Sequence, residues 1–579
     1  MSYAGRRKGS STSEMISAAY RHFRGPVPTS IDPDTPSRPL NRALLYLGVL
    51  SRHIRDGTRN ATQRRDSMEN YKHNWPFIWS WTSILLKKYV LEGSPSTAPG
   101  LEYRDRLLSI VHLVVSFHTD EPDGDWETDF PPSLSLLQTS PDIFLSMVDT
   151  WKFVLDNNHP SLSSMFYLVD ISLATSLADE ALFVSYCQDT NFAPKLIHQL
   201  LSYIYTELRQ LQERRLHTMQ SAFRMLAFLA REASNEVLHL FLTRETLVCV
   251  TWAFKLLTNP RIFSKLTSHA ASHSIEFLKY IHDVYFSAFD YHGASAIALV
   301  FRGDVIHSVS QGFDLVTHEE EGGGTSEVKF DKTLAQLFAD LLISIPAYFC
   351  HRRVLKAVLQ SLQKEFLRSP SSEATLEQIP FGSSPGHRQV LEALQKLKTH
   401  AVNFQKSREL FEKQGRIVCA NLVCPRRGTH TYRKFRRKQC ARCQVTTYCS
   451  EQCQRRDWKA DDHRTKCDRV CSGVLKDILT DVDRQFMEWY TIHQAQAHRE
   501  IFNSIPQEHE EPTLMHVVYM DYRDPSDSPY PKITTSTVEH YLEHGRARAK
   551  GCSCIDVSEH LETVQGYVVR CCLPFPAEH

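Results

Sequence analysis

Apolar residues recur every three to four positions through most of the chain between residues 39 and 415, the period of a helix buried along one face. Ile197, Leu200, Leu201, Ile204, Leu208 and Leu211 make one such stripe, and Leu216, Met219, Phe223, Leu226 and Leu229 make the next. The same spacing predicts helices near Trp75–Tyr89, Tyr103–Phe117, Asp142–Leu155, Thr246–Leu257, His273–Phe289, Thr333–Ile345 and Val354–Phe366. Short turns separate the segments, which favours antiparallel neighbours. The expected class is mainly α, with a large helical array over 39–415. An armadillo-like solenoid is one form of it. No self-similarity appears at the roughly 34 to 47 residues such repeats require, so an irregular helical domain fits nearly as well.

Loops are expected where glycine, proline and charge replace the period: Gly124–Pro132, the Glu319–Gly324 run, and Ser369–Gly386. The first 38 residues are expected to be loose; their Arg, Ser and scarcity of acids resemble a mitochondrial transit peptide, but Pro26, Pro28, Pro33 and Pro36 interrupt any amphipathic helix soon after Phe23 and disfavour that reading. Near the other end, Leu475, Ile478, Leu479, Val482, Phe486 and Trp489 predict an amphipathic helix that needs a partner surface. Leu514–Tyr522 and Val564–Leu573 are rich in β-branched and aromatic residues and predict strands. A small α/β module is therefore expected over 472–579.

At 579 residues the chain is long enough for several domains or one extended array. Its 67 Lys and Arg nearly balance 66 Asp and Glu, for a net charge of +1, which argues against a dedicated nucleic-acid protein. No apolar run reaches the roughly 18 residues a bilayer span needs, so no membrane role is expected. The N-terminus lacks the apolar core of a secretory signal, and the 15 cysteines are an odd number, so a reducing compartment is expected rather than a disulfide framework. The expected location is intracellular, in the nucleus, the cytoplasm or both.

The candidate chemistry is concentrated in one short segment. Seven cysteines and a histidine fall there as Cys419-x4-Cys424, Cys440-x2-Cys443, Cys449-x3-Cys453 and His463-x3-Cys467. Each pair is close enough for one turn to aim both side chains at a single ion, and eight ligands suffice for two tetrahedral zinc sites. Spacing alone leaves open which pairs share an ion. Between residues 419 and 471 there are also fourteen Lys and Arg against five Asp and Glu, a local balance of +9. Arg426, Arg427, Arg433, Lys434, Arg436, Arg437 and Lys438, with Tyr432 and Phe435 among them, make a nuclear-import signal, a nucleic-acid patch or simply a solvated loop.

The run Cys440-Ala-Arg-Cys443, then Tyr448-Cys449-Ser450-Glu-Gln-Cys453-Gln454-Arg-Arg-Asp457-Trp458, then His463-x3-Cys467 resembles a MYND-type zinc finger. That resemblance implies interleaved ligands: Cys419, Cys424, Cys449 and Cys453 on one structural zinc, with Cys440, Cys443, His463 and Cys467 on the other. The chain departs from the family in loop length, with four residues inside the first hook, fifteen between Cys424 and Cys440, and nine between Cys453 and His463. Longer surface loops cost little, about half a kcal/mol per doubling, so both tetrahedra should survive. MYND fingers of transcriptional corepressors bind short proline-containing peptides, which would place Gln454 and Trp458 in a peptide groove. The serine expected beside them is replaced by Ala441. The competing reading is that Trp458 only packs the finger's last helix.

No enzyme signature stands beside the finger. Gly382-Ser-Ser384-Pro-Gly386 matches the serine-hydrolase elbow in letters, but it lies in a polar linker of a helical chain. There is no P-loop, dinucleotide fingerprint or H-E-x-x-H. The SET/MYND lysine methyltransferases are disfavoured, since some 400 mostly helical residues precede the finger and no Asn-His-x-Cys follows it. Cys552, Cys554, Cys571 and Cys572 could in principle hold a third metal, but free thiols are the simpler expectation, and Cys471 should pack as a small hydrophobe. The reading is a non-enzymatic zinc protein that acts as an interaction adaptor for proline-containing partners in transcriptional regulation, with a ubiquitin-ligase adaptor as the alternative. The layout resembles that of fungal MYND proteins with a long helical N-terminal region.

Overall fold

The computed structural model describes residues 12–56, 61–92, 95–115, 143–157, 192–210, 216–232, 242–263, 268–323, 332–368, 384–471 apart from 433, 434, 436 and 461, 479–497, and the backbone of four strands between 516 and 572. The described chain is mainly α and forms two compact units, Met1–Phe241 and Leu242–His579. The predicted break at Gly124–Pro132 lies outside the described residues.

The first unit contains α1 (Thr12–Phe23), α2 (Arg38–Asp56), α3 (Ala61–Leu86), α4 (Ala98–Val115), α5 (Ile143–Asp156), α6 (Phe192–Gln210) and α7 (Leu216–Glu232). Most of the predicted stripes are buried on α6 and α7, Ile197, Leu200, Ile204 and Leu208 on one and Met219, Phe223, Leu226 and Leu229 on the other; Leu201 is half-buried, and Leu211 and the Leu216 side chain lie outside the described residues. Aromatic rings fill much of this core. Trp75 stacks on Trp79 at 5.9 Å, Tyr89 meets Tyr103 at 4.4 Å, and Trp151 is fully buried. The N-terminus is not loose throughout. Ala19 and Phe23 of α1 are buried, and Arg24 Nε donates to Asn74 Oδ1 at 2.8 Å. The prolines end this helix without preventing it, because the amphipathic stretch lies entirely ahead of them.

The second unit begins with α8 (Arg244–Leu257), α9 (Ser268–His292), α10 (Ala294–Arg302), α11 (Val305–Gln311), α12 (Phe313–His318), α13 (Leu334–Ile343), α14 (Arg352–Arg368) and the 30-residue α15 (Pro385–Gln414). Its helix starts are chemically specified. Thr333 and Gln336 form a reciprocal capping box on α13, and the hydroxyl of Ser384 accepts from the His387 N–H to cap α15. That gives the serine of the elbow-like Gly-Ser-Ser-Pro-Gly stretch a structural role. The acidic run expected to be a loop is instead a π-helical turn, Glu319–Gly323. Glu319 accepts from the Leu334 N–H at 2.6 Å and pairs with Lys279 at 2.7 Å, while Glu320 accepts from the Gly386 N–H at 2.7 Å. Two carboxylates thus sit at the N-termini of α13 and α15, where the helix dipole favours negative charge.

The same unit runs across the domain boundary expected at 415. After α15 come two hairpins, β1 (Arg416–Ile417) with β2 (His430–Thr431) and β3 (Lys438–Gln439) with β4 (Thr447–Tyr448), then α16 (Glu451–Lys459), α17 (Asp462–Cys471) and α18 (Asp481–Ala497). Of the predicted C-terminal helix, Leu475 and Ile478 lie outside the described residues, and α18 starts at Asp481, where the Thr480 hydroxyl accepts from the Asp483 N–H at 3.1 Å and caps it. A four-stranded sheet closes the chain in the order β6-β5-β8-β7, from β5 (His516–Asp521), β6 (Lys532–Thr537), β7 (Cys554–Asp556) and β8 (Tyr567–Cys572). The predicted strands correspond to β5 and β8, which pair in parallel. Both β6 and β7 escaped prediction because they are short or mostly polar. Among the described residues no helix is long and apolar enough to cross a membrane.

Candidate metal centre

Four local devices aim the ligand side chains between α15 and α18. In the first hook, Asn421 compensates for the four-residue spacing: its carbonyl accepts from the Cys424 N–H at 3.1 Å and its side-chain Oδ1 from the Val423 N–H at 3.2 Å, which folds the loop back on itself. In the second, the Gln444 N–H reaches the Cys440 carbonyl at 2.9 Å, and Gln444 takes φ +57°, a left-handed conformation that usually falls to glycine. Cys449 leads into α16, where Ser450 is the N-cap and its hydroxyl accepts from the Cys453 N–H at 3.2 Å. The positive end of that helix therefore faces both thiols. Finally, His463 and Cys467 are four residues apart on α17 and share a face.

These devices bring the eight side chains together as two groups of four. Cys419, Cys424, Cys449 and Cys453 form one, and Cys440, Cys443, His463 and Cys467 the other, with the ligand atoms of each group all within 4.8 Å of one another. Sulfur separations are 3.6 Å for Cys424 to Cys449, 3.5 Å for Cys449 to Cys453 and 3.9 Å for Cys440 to Cys467, and Cys443 Sγ lies 3.8 Å from His463 Nε2. A tetrahedron of thiolates about 2.3 Å from a zinc ion has edges of about 3.8 Å, so both cages have the right size. The pairing is interleaved. The third hook completes the first site and the fourth completes the second, so the loop closed by each site contains a hook of the other.

The ligand side chains differ in electrostatics: burial raises the thiols of Cys419, Cys449 and Cys467, whereas Cys453 and His463 already favour the form that binds metal. Burial tends to raise the Cys453 thiol, but hydrogen bonds from Ser450, Cys449 and Asn421 outweigh it and bring the thiol down to about 7. Burial holds His463 below its ordinary value, and so neutral, as a metal ligand must be. Its ring is enclosed by Tyr448 at 5.7 Å and Trp458 at 5.6 Å. The Tyr448 hydroxyl donates to Asp457 Oδ2 at 2.7 Å, tying β4 to α16 beneath the ring.

The family model described as the MYND finger matches residues 422–467. This segment is a MYND finger. The match begins three residues after Cys419, and the structure supplies the missing ligand by placing Cys419, fully buried, in the first cluster. No curated protein and no solved structure matches the chain.

Of the peptide-binding candidates, Gln454 and Trp458 lie one turn apart on α16, each partly exposed. Arg433, Lys434 and Arg436 of the basic loop lie outside the described residues, as do Cys552 and the side chains of Cys554, Cys571 and Cys572. Cys471 is exposed at the end of α17 rather than packed as a small hydrophobe.

The sequence reading missed how the MYND finger is anchored. Asp481, Asp483 and Gln485 of α18 are all buried polar residues. Asp481 accepts from the Thr447 N–H at 2.8 Å and donates its own N–H to the Val445 carbonyl at 3.0 Å, securing the hairpin that carries the second and third hooks. Asp483 pairs with Arg408 of α15 and accepts from the Arg352 N–H at 3.3 Å. Tyr432 adds a second attachment, since its hydroxyl donates to Glu412 Oε1 at 3.0 Å and its N–H to the Gly415 carbonyl at 3.0 Å. Alternating polar residues in a helix's first turn resemble ordinary capping, so no sequence signal marks them as an interface.

Proposed function

We propose that the chain is a non-enzymatic intracellular adaptor whose MYND finger, folded around two zinc ions, docks short proline-containing peptides of partner proteins in transcriptional regulation. The observation that carries this reading is the placement of Trp458, half-buried on α16 with one side against the ligand His463 and Gln454 a turn away. An indole that keeps part of its surface free can cover a proline ring, and the neighbouring amide can bond the peptide backbone. The rigid attachment to α15 and α18 supports the same reading. A peptide-binding surface fixed to a helical body loses little conformational freedom when a partner docks.

All eight ligands are cysteine or histidine, a donor set that selects zinc over the hard oxygen-binding cations. With four protein ligands in each cage, the zinc is structural: it supplies folding free energy to the segment and leaves no coordination position open for substrate. The test is fluorescence anisotropy of the full chain with labelled proline-containing peptides. Trp458→Ala should weaken binding about tenfold or more while zinc content stays unchanged. Unaltered binding by that variant would remove the groove from the proposal.

A further inference from the structure

The finger carries a second surface that neither the metal cages nor the proline groove uses. Leu422 and Val423 are 62% and 73% exposed, the two most exposed large hydrophobic side chains among the described residues. They are consecutive, and they sit at the tip of the first hook between the ligands Cys419 and Cys424. Nothing about their position is loose. Asn421, itself buried, holds the turn through the Val423 and Cys424 N–H groups, and both ends of the loop are metal-binding cysteines.

Isolated surface aliphatics are ordinary, but an adjacent pair on a fixed turn presents apolar area at no cost in loop ordering. The charge beside the pair is one-signed. Arg426 and Arg427 follow directly after Pro425, both exposed, and neither guanidinium has an acidic partner among the described residues. Hydrogen bonds from the Arg427 N–H to the Cys424 carbonyl at 3.0 Å and from the Thr429 N–H to the Arg426 carbonyl at 3.2 Å fold this stretch against the hook. The surrounding segment, 419–471, carries a net charge of +9 in a chain of net charge +1.

We infer that the Leu422–Val423 tip and the arginines beside it form a docking surface for an acidic peptide segment of a partner protein, one in which a large apolar side chain is flanked by Asp or Glu. The apolar residue covers the aliphatic pair, and the carboxylates meet Arg426 and Arg427, whose planar donors suit bidentate bonding. A protein partner fits better than a lipid surface, since the tip has only two aliphatic residues and no aromatic to anchor in a membrane interface. The inference rests on the finger being a docking module, but it uses different residues from the proline groove.

The experiment selects binders to the zinc-loaded full chain from a display library of short random peptides, then measures the best of them by fluorescence anisotropy. The expected binders carry Asp or Glu around Leu, Ile or Phe. Their affinity falls about tenfold in Leu422→Ser/Val423→Ser and in Arg426→Gln/Arg427→Gln, weakens with added salt, and is unchanged in Trp458→Ala. Zinc content and the far-ultraviolet spectrum confirm that each variant is folded, and the arginine pair tests the surface without touching the hook. Selected peptides that depend only on Trp458 would uphold the proline groove and overturn this surface. Loss of a dimer in sedimentation on mutating the tip would give it to a second copy of the chain, and binding of phosphatidylserine vesicles through the same four residues would give it to a membrane. Either result, or selected peptides indifferent to all four residues, overturns the proposal.

Discussion

The side-chain amide of Gln485 closes on the main chain of Val418 at both ends, accepting from its N–H at 2.8 Å and donating to its carbonyl at 3.1 Å. The arrangement copies one rung of a β-ladder, with a side chain in place of the second strand, one residue before the ligand Cys419. Removing it by Gln485→Ala leaves two part-buried main-chain groups unpaired, which should cost about 1–3 kcal/mol. The check is amide exchange at Val418 together with the urea midpoint. Unchanged protection at Val418 would show that water replaces the amide without loss.

The neighbouring contact is ionic and costs more to break. Arg408 and Asp483 are both buried, and the guanidinium also lies over the Phe486 ring at 4.6 Å and donates to the Cys350 carbonyl at 3.4 Å. Arg408→Met strands a buried carboxylate and should destabilise the second unit by about 3–5 kcal/mol, whereas Arg408→Met with Asp483→Leu should recover much of that loss. Chemical denaturation of the three proteins measures the coupling, and a double variant no better than the single one would mean that the pair is not what the fold depends on here.

Removing metal should act locally first. Two four-ligand cages predict two zinc ions per chain by elemental analysis. Because the third hook belongs to the first cage, Cys449→Ser should lower the ratio to about one, with protease sites opening between 416 and 471. The helices of the first unit should keep their circular dichroism. A ratio that stays at two in Cys449→Ser would remove that thiol from the first cage.

The eight converging side chains could be named from their spacing, because a metal hook needs only two ligands within reach of one turn. Which four share a cage could not, since sequential and interleaved pairing use the same hooks and only the folded path of β3, β4 and α16 distinguishes them. The helical class was legible in the same way, and Ile197, Leu200 and Ile204 are buried as their period implies. Two of the departures have a common physical cause. Glu319 and Glu320 carry no period and read as a loop, yet they become a helical turn because the starts of α13 and α15 need acceptors. Asp481, Asp483 and Gln485 resemble ordinary capping residues, yet they are buried because Asp481 and Gln485 partner the finger's main chain and Asp483 partners Arg408 and the Arg352 N–H. Polar residues that serve another segment's backbone carry no local signal of it.

The left-handed Gln444 gives a test of local strain. An L-residue at φ +57° costs about 1–2 kcal/mol that glycine does not incur. Gln444→Gly should therefore be neutral or modestly stabilising, while Gln444→Val, whose branched side chain tolerates that conformation least, should weaken the second cage. Competition against a zinc chelator reads both variants. Equal affinities for the valine and glycine variants would show that the turn relaxes out of the left-handed region without opening the cage.

A pH test concerns α15, the helix on which the finger is held. His400 is buried there, and burial, with Lys396 acting in the same direction, lowers its pKa below the ordinary 6.5. The folded chain therefore takes up a proton at this site less readily than the unfolded chain. Stability at this site is complete above about pH 6.5 and declines as pH falls through that value, until the folded site also protonates. His400→Gln removes the titration, so its stability relative to the parent should improve steadily between about pH 7 and pH 5. Urea midpoints of the two proteins across that range decide the matter: a constant difference would mean that His400 is protonated equally in both states, and that the acid sensitivity of this helix arises elsewhere.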